Sequence, residues 1–256
     1  IFYIWKFLPG GGISIYFFYL LLASGVIYFS YLIARKYLPS NLAVLSPYLL
    51  FPYLHFAGRD QMLLETEWWS FSFFFIGLYF LLTNNKLFSA ALLSLSVLVR
   101  ELYVLILLPM LFYSFFRERK FVLPLVAALG VFGLLYTYHL FTVYKYVGNW
   151  DKLLAPRVVP FGLFFIHQTL AFASWEYLSV IFRPFLLFAT FAFFGVLNVF
   201  WKKSEKDGVV LAISLLVFPI AFLKIGTVPY NDYWGIFFVP VAILLSPLVL
   251  GWFKNE

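Results

Sequence analysis

Long uncharged stretches of apolar residues are the feature that most limits how this chain can fold. Residues 7–34 form an uncharged run of 28, residues 37–58 a run of 22, and residues 68–85 a run of 18. A helix that crosses a bilayer needs about 20 consecutive apolar residues. With 64% hydrophobic and only 11% charged residues, the chain also has too little polar surface to coat a water-soluble globule. The sequence therefore predicts an all-helical integral membrane protein.

The spacing of the charged residues predicts about nine transmembrane helices in a single multispan domain, 1–256. Two short runs, 87–99 and 102–116, are predicted to form a hairpin with Arg100 and Glu101 at its tip, in or near the headgroup region. Segment 158–175 is predicted to be an external interfacial or re-entrant helix. The predicted spans are approximately 12–34, 41–57, 68–83, 87–99, 102–116, 121–144, 177–201, 208–226 and 233–253.

Basic clusters give the chain its predicted orientation. With nine spans, residues 35–36, 86, 117–120 and 202–206 share one side, which the positive-inside rule makes cytoplasmic. Seven of the eleven acidic residues then fall on the external face. Residues 1–12 are external as well, so we expect a further helix and part of an external loop upstream of Ile1.

Several classes of function are excluded by what the sequence lacks. It contains no P-loop, no HExxH, no GxSxG and no dinucleotide fingerprint. No segment outside the apolar runs is long enough for a soluble catalytic domain. The net charge of +7 is explained by membrane orientation, so no nucleic-acid partner is expected. Without cysteine, the chain has neither disulfides nor thiolate metal sites.

The first candidate site is the predicted external loop GRDQMLLETEWW, which carries Arg59, Asp60, Glu65 and Glu67. Carboxylates just outside the bilayer can deprotonate or orient an acceptor hydroxyl. Glu65 and Glu67 could also hold a divalent metal, Mg²⁺ or Mn²⁺, through oxygen ligands. The alternative is a solvated loop with internal ion pairs.

Further candidates lie in three other segments. Arg100 can hold phosphate oxygens with its planar guanidinium, with Glu101 beside it; the alternative is an Arg100–Glu101 pair that only closes the hairpin. The segment TVPYNDYWG presents Tyr230 and Asp232 as sugar-binding side chains, although turn chemistry explains the same residues. His167 is a candidate on the long external segment.

The order and residue character of the segments along most of the chain resemble the GT-C superfamily of membrane glycosyltransferases. This superfamily includes protein O-mannosyltransferases and lipid A aminoarabinose transferases. The resemblance rests on YLIARKYLP, FAGRDQMLLETEWW, LTNNK, LFSAALLSLSVLVRELYVLILLP and NDYWGIFFVPVAILL. It implies a polyprenyl-phosphate-linked sugar donor and a reaction on the external face. Glu65 or Glu67 would match the second acidic site, near metal or acceptor, and Arg100 a donor-phosphate contact. The family's catalytic aspartate lies on the first external loop, which this sequence lacks.

The resemblance thus implies an enzyme of the plasma membrane that moves a sugar from the lipid carrier to an external glycan, lipid or protein acceptor. A transporter or flippase of a lipid-linked saccharide is one alternative, with the same charges lining a pathway. An O-antigen polymerase or ligase is another, with 145–176 as its large external loop.

The predicted orientation can be tested with reporter tags at two distant basic clusters. Tags fused after Lys120 and after Lys202 should both report the cytoplasm, because both clusters fall on the predicted inner side. Alkaline phosphatase and green fluorescent protein fusions measure this directly. Tags on opposite sides of the bilayer would overturn the nine-span map.

Overall fold

The computed structural model describes residues 9–10, 12–59, 63–148, 166, 169, 206–223 and 232–245. Within these ranges every regular element is helical, which confirms the all-α prediction for the described part of the chain. The predicted span 177–201 and almost all of segment 158–175 lie outside the described residues. The total of nine spans therefore stays a prediction.

Ten α-helices and three 3₁₀ turns make up the described part. The α-helices are α1 Ile13–Tyr37, α2 Ser40–Ala43, α3 Leu45–Leu49, α4 Phe51–Ala57, α5 Thr66–Leu82, α6 Lys86–Val99, α7 Val104–Arg117, α8 Val122–Val147, α9 Lys206–Phe222 and α10 Val239–Leu245. The 3₁₀ turns are Glu101–Tyr103, Arg119–Phe121 and Asp232–Phe237.

Helix α5 lies at the centre of the described helices. It is apolar around its whole circumference, and a helix of that kind is stable only when other elements cover it on every side. Accordingly, most of its side chains are buried, from Glu67 at one end to Leu82 at the other. Helices α1 and α6 and the turn Asp232–Phe237 pack against it.

Small residues allow α5 and α6 to approach closely. Ser70 donates to the Ser96 carbonyl at 2.8 Å, and Ser96 donates to the Ser70 carbonyl at 2.9 Å, so each helix bonds to the other's backbone. The two helices also approach closely at Gly77, two turns further along α5. A β-carbon added at Gly77 would lie 3.1 Å from Leu93 Cδ2 and 3.2 Å from Leu92 Cβ. Such small-residue interfaces are typical of helix pairs in membranes.

Helices α6 and α7 meet at Arg100 as predicted, but they do not form a packed hairpin. Both helices are fully described, and α6 packs along α5 and α8 instead, while α7 packs on α8 and α9. The reason is the interface just described: α6 presents its small residues to α5. The tight antiparallel pair is therefore α5 with α6, and its turn contains Asn84 in the left-handed conformation at φ 61°.

The predicted continuous span 41–57 is divided into the three short helices α2, α3 and α4. Pro47 lies inside α3 and Pro52 in the first turn of α4. Because proline has no amide hydrogen, it cannot donate to the carbonyl four residues earlier. The prediction from hydropathy alone did not account for these two interruptions.

Among the described residues, two helices are long and apolar enough to cross a membrane, namely Ile13–Tyr37 and the stretch Arg119–Val147 that includes α8. Both expose large apolar side chains along much of their length, such as Phe17 and Leu20 on α1 and Leu134 and Phe141 on α8. Helices α5, α6 and residues 208–222 of α9 are apolar but shorter.

Charged groups gather at the two opposite ends of α5. At its carboxyl end the Lys36 ammonium donates to the Leu82 carbonyl at 3.0 Å, and Lys86 begins α6 directly afterwards. At its amino end lie Glu65 and Glu67, with Arg100 beside them. Seventeen residues of α-helix measure about 25 Å, so roughly that distance separates the two groups.

We predict that Gly77→Leu destabilises the protein by roughly 1–3 kcal/mol, because the new side chain must push α6 away from α5. Gly133→Leu is the matched control, since nothing lies within 4 Å of a β-carbon at that position of α8. Thermal unfolding in detergent micelles measures both variants. Equal midpoints for the two would show that the close approach at Gly77 does not contribute to stability.

A candidate active site at the amino end of helix α5

An ion pair joins the amino end of α5 to the carboxyl end of α6. Arg100 Nη2 lies 2.8 Å from Glu67 Oε1. Glu67 is in the first turn of α5, where the helix dipole favours a negative charge, and Arg100 follows the last residue of α6, where it favours a positive one. Because α5 and α6 are antiparallel, the two favoured ends coincide.

This pair is far from fully solvated. The Glu67 side chain is 4% exposed and the Arg100 side chain 27% exposed. Breaking a buried pair by removing one partner costs about 3–5 kcal/mol, because the other charge stays buried without compensation. The Thr66 hydroxyl adds a hydrogen bond of 3.2 Å to Glu67 Oε2. The Glu67 side chain is therefore held in position by Arg100 and Thr66.

A cleft of about 240 Å³, counted with the space at its open mouth, lies beside the pair. Two acidic side chains, Glu65 and Glu67, line this cleft. The other lining residues are aromatic or apolar: Phe56, Ala57, Trp68, Tyr233 and Ile236. Carboxylates beside aromatic faces suit a hydroxyl-bearing ligand, which needs hydrogen-bond acceptors and apolar walls. The enclosed part of this space is only about 10 Å³, room for about one water molecule, so the cleft as it stands admits a single hydroxyl-sized group.

Glu65 differs from Glu67 in its surroundings. It precedes α5 with extended backbone at φ −70° and ψ 133°, and its side chain makes no capping hydrogen bond. Partial burial raises the pKa of the Glu65 carboxyl, and the neighbouring Glu67 carboxylate raises it further, while Arg100 opposes both. A carboxyl with a raised pKa is a stronger base, once ionised, than an ordinary glutamate.

Tyr103 is a further member of this site that sequence reasoning did not single out. It is fully buried, and its ring stacks on Phe74 at 4.6 Å between centroids, with Phe237 edge-on at 5.3 Å. The Glu67 carboxylate acts electrostatically on its hydroxyl. A usable signal was its position three residues after Arg100, because residues at i and i+3 lie on one side of a 3₁₀ turn.

The structure groups the predicted site residues differently from the sequence analysis. Glu65, Glu67 and Arg100 lie together, although 33 residues separate Glu67 from Arg100 in the chain. Arg100 pairs with Glu67 and not with Glu101, the partner in the alternative interpretation, and Glu101 lies exposed on the turn after α6. Arg59 lies exposed beyond α4. Asp232 begins the turn Asp232–Phe237, whose next residue lines the cleft.

Three predicted site residues, Asp60, His167 and Tyr230, lie outside the described residues. Within the described residues, no group of three acidic, histidine or cysteine side chains converges as metal ligands would. Glu67 Oε1 is paired with the Arg100 guanidinium, and the positive charge of that group would repel a metal cation at the same oxygen. The described residues therefore do not complete the Mg²⁺ or Mn²⁺ site, which stays a prediction.

No protein-family model, curated protein or solved structure matches this chain.

The raised pKa of Glu65 predicts a pH-dependent contribution to stability. The protonated form is favoured in the folded state, so the contribution is complete below the ordinary value of 4.5 and is lost as the pH rises through the raised folded-state pKa. Against Glu65→Gln, which cannot ionise, the wild type should become relatively less stable as the pH rises from 4.5 towards neutrality.

Thermal midpoints in detergent across that pH range measure the effect. Glu101→Gln is the control, because it removes an exposed carboxylate from the neighbouring turn and should follow the wild type. A constant difference between the wild type and Glu65→Gln at every pH would contradict the assignment.

Proposed function

We propose that this chain is a multi-pass membrane glycosyltransferase that uses a polyprenyl-phosphate-linked sugar as donor and works on the external face of the plasma membrane. The observation that carries the proposal is the Glu67–Arg100 pair at 2.8 Å, beside a cleft that also contains Glu65. An arginine for a phosphate and carboxylates for a hydroxyl are the groups that such a transfer needs.

Membrane insertion is supported by the surface of the long helices. Large apolar side chains are exposed along both α1 and α8, where lipid chains would cover them and water would not. Helix α5, at about 25 Å, is shorter than the roughly 30 Å hydrocarbon core of a bilayer. If the Lys36 end of α5 lies at one edge of that core, the Glu67–Arg100 pair lies about 5 Å inside the opposite edge, within reach of a lipid phosphate.

The proposed reaction is a direct displacement at the anomeric carbon. The acceptor oxygen forms a bond to that carbon, the bond from the carbon to the phosphate oxygen breaks, and polyprenyl phosphate leaves as an anion. Arg100 stabilises the phosphate charge as it develops. The hydroxyl proton passes to a carboxylate, and Glu65 is suited to accept it because its pKa is raised.

The resemblance to the GT-C superfamily supports the same donor class and the same face of the membrane. Under this proposal the partners are the lipid-linked sugar, membrane lipids and a glycan, lipid or protein acceptor. Glu65 and Glu67 bind or orient the acceptor, with Arg59, Tyr230, Asp232 and His167 as further candidates in the same external region.

A transporter of a lipid-linked saccharide is the second candidate. It is favoured by the division of residues 40–57 into three short helices, since interrupted helices are common at transporter binding sites. The clustering of acids and arginine at one end of α5, and not along its length, favours the enzyme. An assay for sugar transfer distinguishes the two.

We predict that Arg100→Ala lowers transfer on the order of a hundredfold or more, because the departing phosphate loses its counter-charge. The measurement is release of labelled sugar from a polyprenyl-phosphate-linked hexose by the purified protein in nanodiscs. Arg117→Ala is the matched control, since Arg117 is an exposed arginine at the end of α7 remote from the pair.

The double variant Glu67→Gln with Arg100→Gln separates folding from catalysis. It leaves no unpaired buried charge, so its thermal midpoint should stay close to the wild type while transfer is lost. Full activity of Arg100→Ala would exclude Arg100 from the reaction. Movement of intact lipid-linked sugar across the bilayer, with no release of sugar, would favour the transporter.

A further inference from the structure

The turn between α7 and α8 carries two exposed arginines on either side of a buried glutamate. Glu118 is 7% exposed, whereas its neighbours in the chain, Arg117 and Arg119, are both exposed. Lys120 pairs with Glu118: its ammonium lies 3.7 Å from Glu118 Oε2 and 4.5 Å from the centre of the Phe121 ring. The glutamate and the lysine therefore belong to the packing of the turn, and the two arginines remain at its surface.

The charges of these two arginines are not neutralised by neighbouring acids. Neither Arg117 nor Arg119 makes an ion pair or a side-chain hydrogen bond with another described residue. In the sequence, Glu118 is the only acidic residue between Leu102 and Tyr144. Two guanidinium groups that lie close together repel each other and attract an anion, and their planar forks match the oxygens of a phosphate. The turn is therefore suited to a ligand that carries a phosphate.

An exposed apolar stripe on α7 leads to the same turn. It consists of Leu108, Phe112 and Phe116, which are spaced by four residues and so lie on one face of the helix. All three are more than half exposed, and the Phe112 and Phe116 ring centroids are 5.0 Å apart. From Leu108 to Arg117 the helix rises by about 13 Å, close to the roughly 15 Å hydrocarbon depth of one leaflet. A cationic end joined to an apolar stripe of that length matches the shape of a phospholipid.

We propose that the α7–α8 turn binds an anionic glycerophospholipid, with its phosphate at Arg117 and Arg119 and an acyl chain along the apolar stripe. The predicted orientation places residues 117–120 on the cytoplasmic side, where the leaflet is rich in anionic lipid. Arg100 lies beyond the opposite end of α7, a helix about 21 Å long, so this site is separate from the proposed site of transfer. The inference requires a membrane around the chain, but it does not depend on sugar transfer.

The double variant Arg117→Gln with Arg119→Gln tests the inference, because it removes both charges and keeps polar side chains of similar length. The probes are phosphatidylglycerol and phosphatidylcholine with the same acyl chains, added to the purified protein in neutral detergent. Native mass spectrometry measures the dissociation constant of each lipid. The wild type should prefer phosphatidylglycerol by roughly tenfold or more, at about fivefold for each arginine. In the double variant the preference should fall below about twofold.

Arg35→Gln with Lys86→Gln is the matched control. Both residues are exposed and basic, and both belong to the same predicted side as the turn, but they lie outside the proposed site. This variant should keep the preference for phosphatidylglycerol. An equal loss in the control would mean that the whole basic face attracts anionic lipid without a site at the turn, and the inference would be overturned.

Thermal midpoints separate lipid binding from a structural role of the two arginines. Phosphatidylglycerol should raise the midpoint of the wild type more than that of the double variant, because only the wild type binds it tightly. If the arginines only stabilise the carboxyl end of α7 through the helix dipole, the variant loses the same stability in both lipids, which would contradict the inference. No preference of the wild type for phosphatidylglycerol would also overturn it. Displacement of the lipid by an equal concentration of inorganic phosphate would show that the turn takes a soluble anion instead.

Discussion

The ion pair between Glu67 and Arg100 links the central helix to its neighbour and creates the site. Its geometry depends on the antiparallel packing of α5 and α6, which brings the amino end of one helix to the carboxyl end of the other. The helix dipoles favour each charge where it stands. If α6 moved away from α5, a buried carboxylate would lose its counter-ion, so packing and electrostatics stabilise the same arrangement.

Close packing of the two helices in turn depends on small side chains. Ser70 and Ser96 exchange hydrogen bonds with each other's backbone, and Gly77 lets the chains approach further along. The apolar circumference of α5 is then covered by α1 and by the turn Asp232–Phe237 as well. That turn also places Tyr233 in the cleft, so the same contacts that bury α5 build the wall of the proposed binding site.

How far the site could be anticipated differs from residue to residue. Glu65, Glu67 and Arg100 were candidates because ionisable residues next to apolar runs are costly without a function or a partner. The partner of Arg100 was not predictable, since Glu101 is adjacent in the chain and Glu67 is 33 residues away. Tyr103 was missed because a tyrosine in an apolar stretch is common, and only its full burial and its stacking on Phe74 distinguish it.

Helix formation by the apolar runs is a local property, which can be read from hydropathy and charge spacing because each run must bury or shield its backbone by itself. Helix Lys86–Val99, for example, coincides with the uncharged run 87–99. Which helices pair is not local: it depends on where small residues allow close approach and where proline interrupts hydrogen bonding. Those non-local contacts replaced the expected hairpin of α6 and α7 with the pair of α5 and α6, and so chose Glu67 as the counter-ion of Arg100.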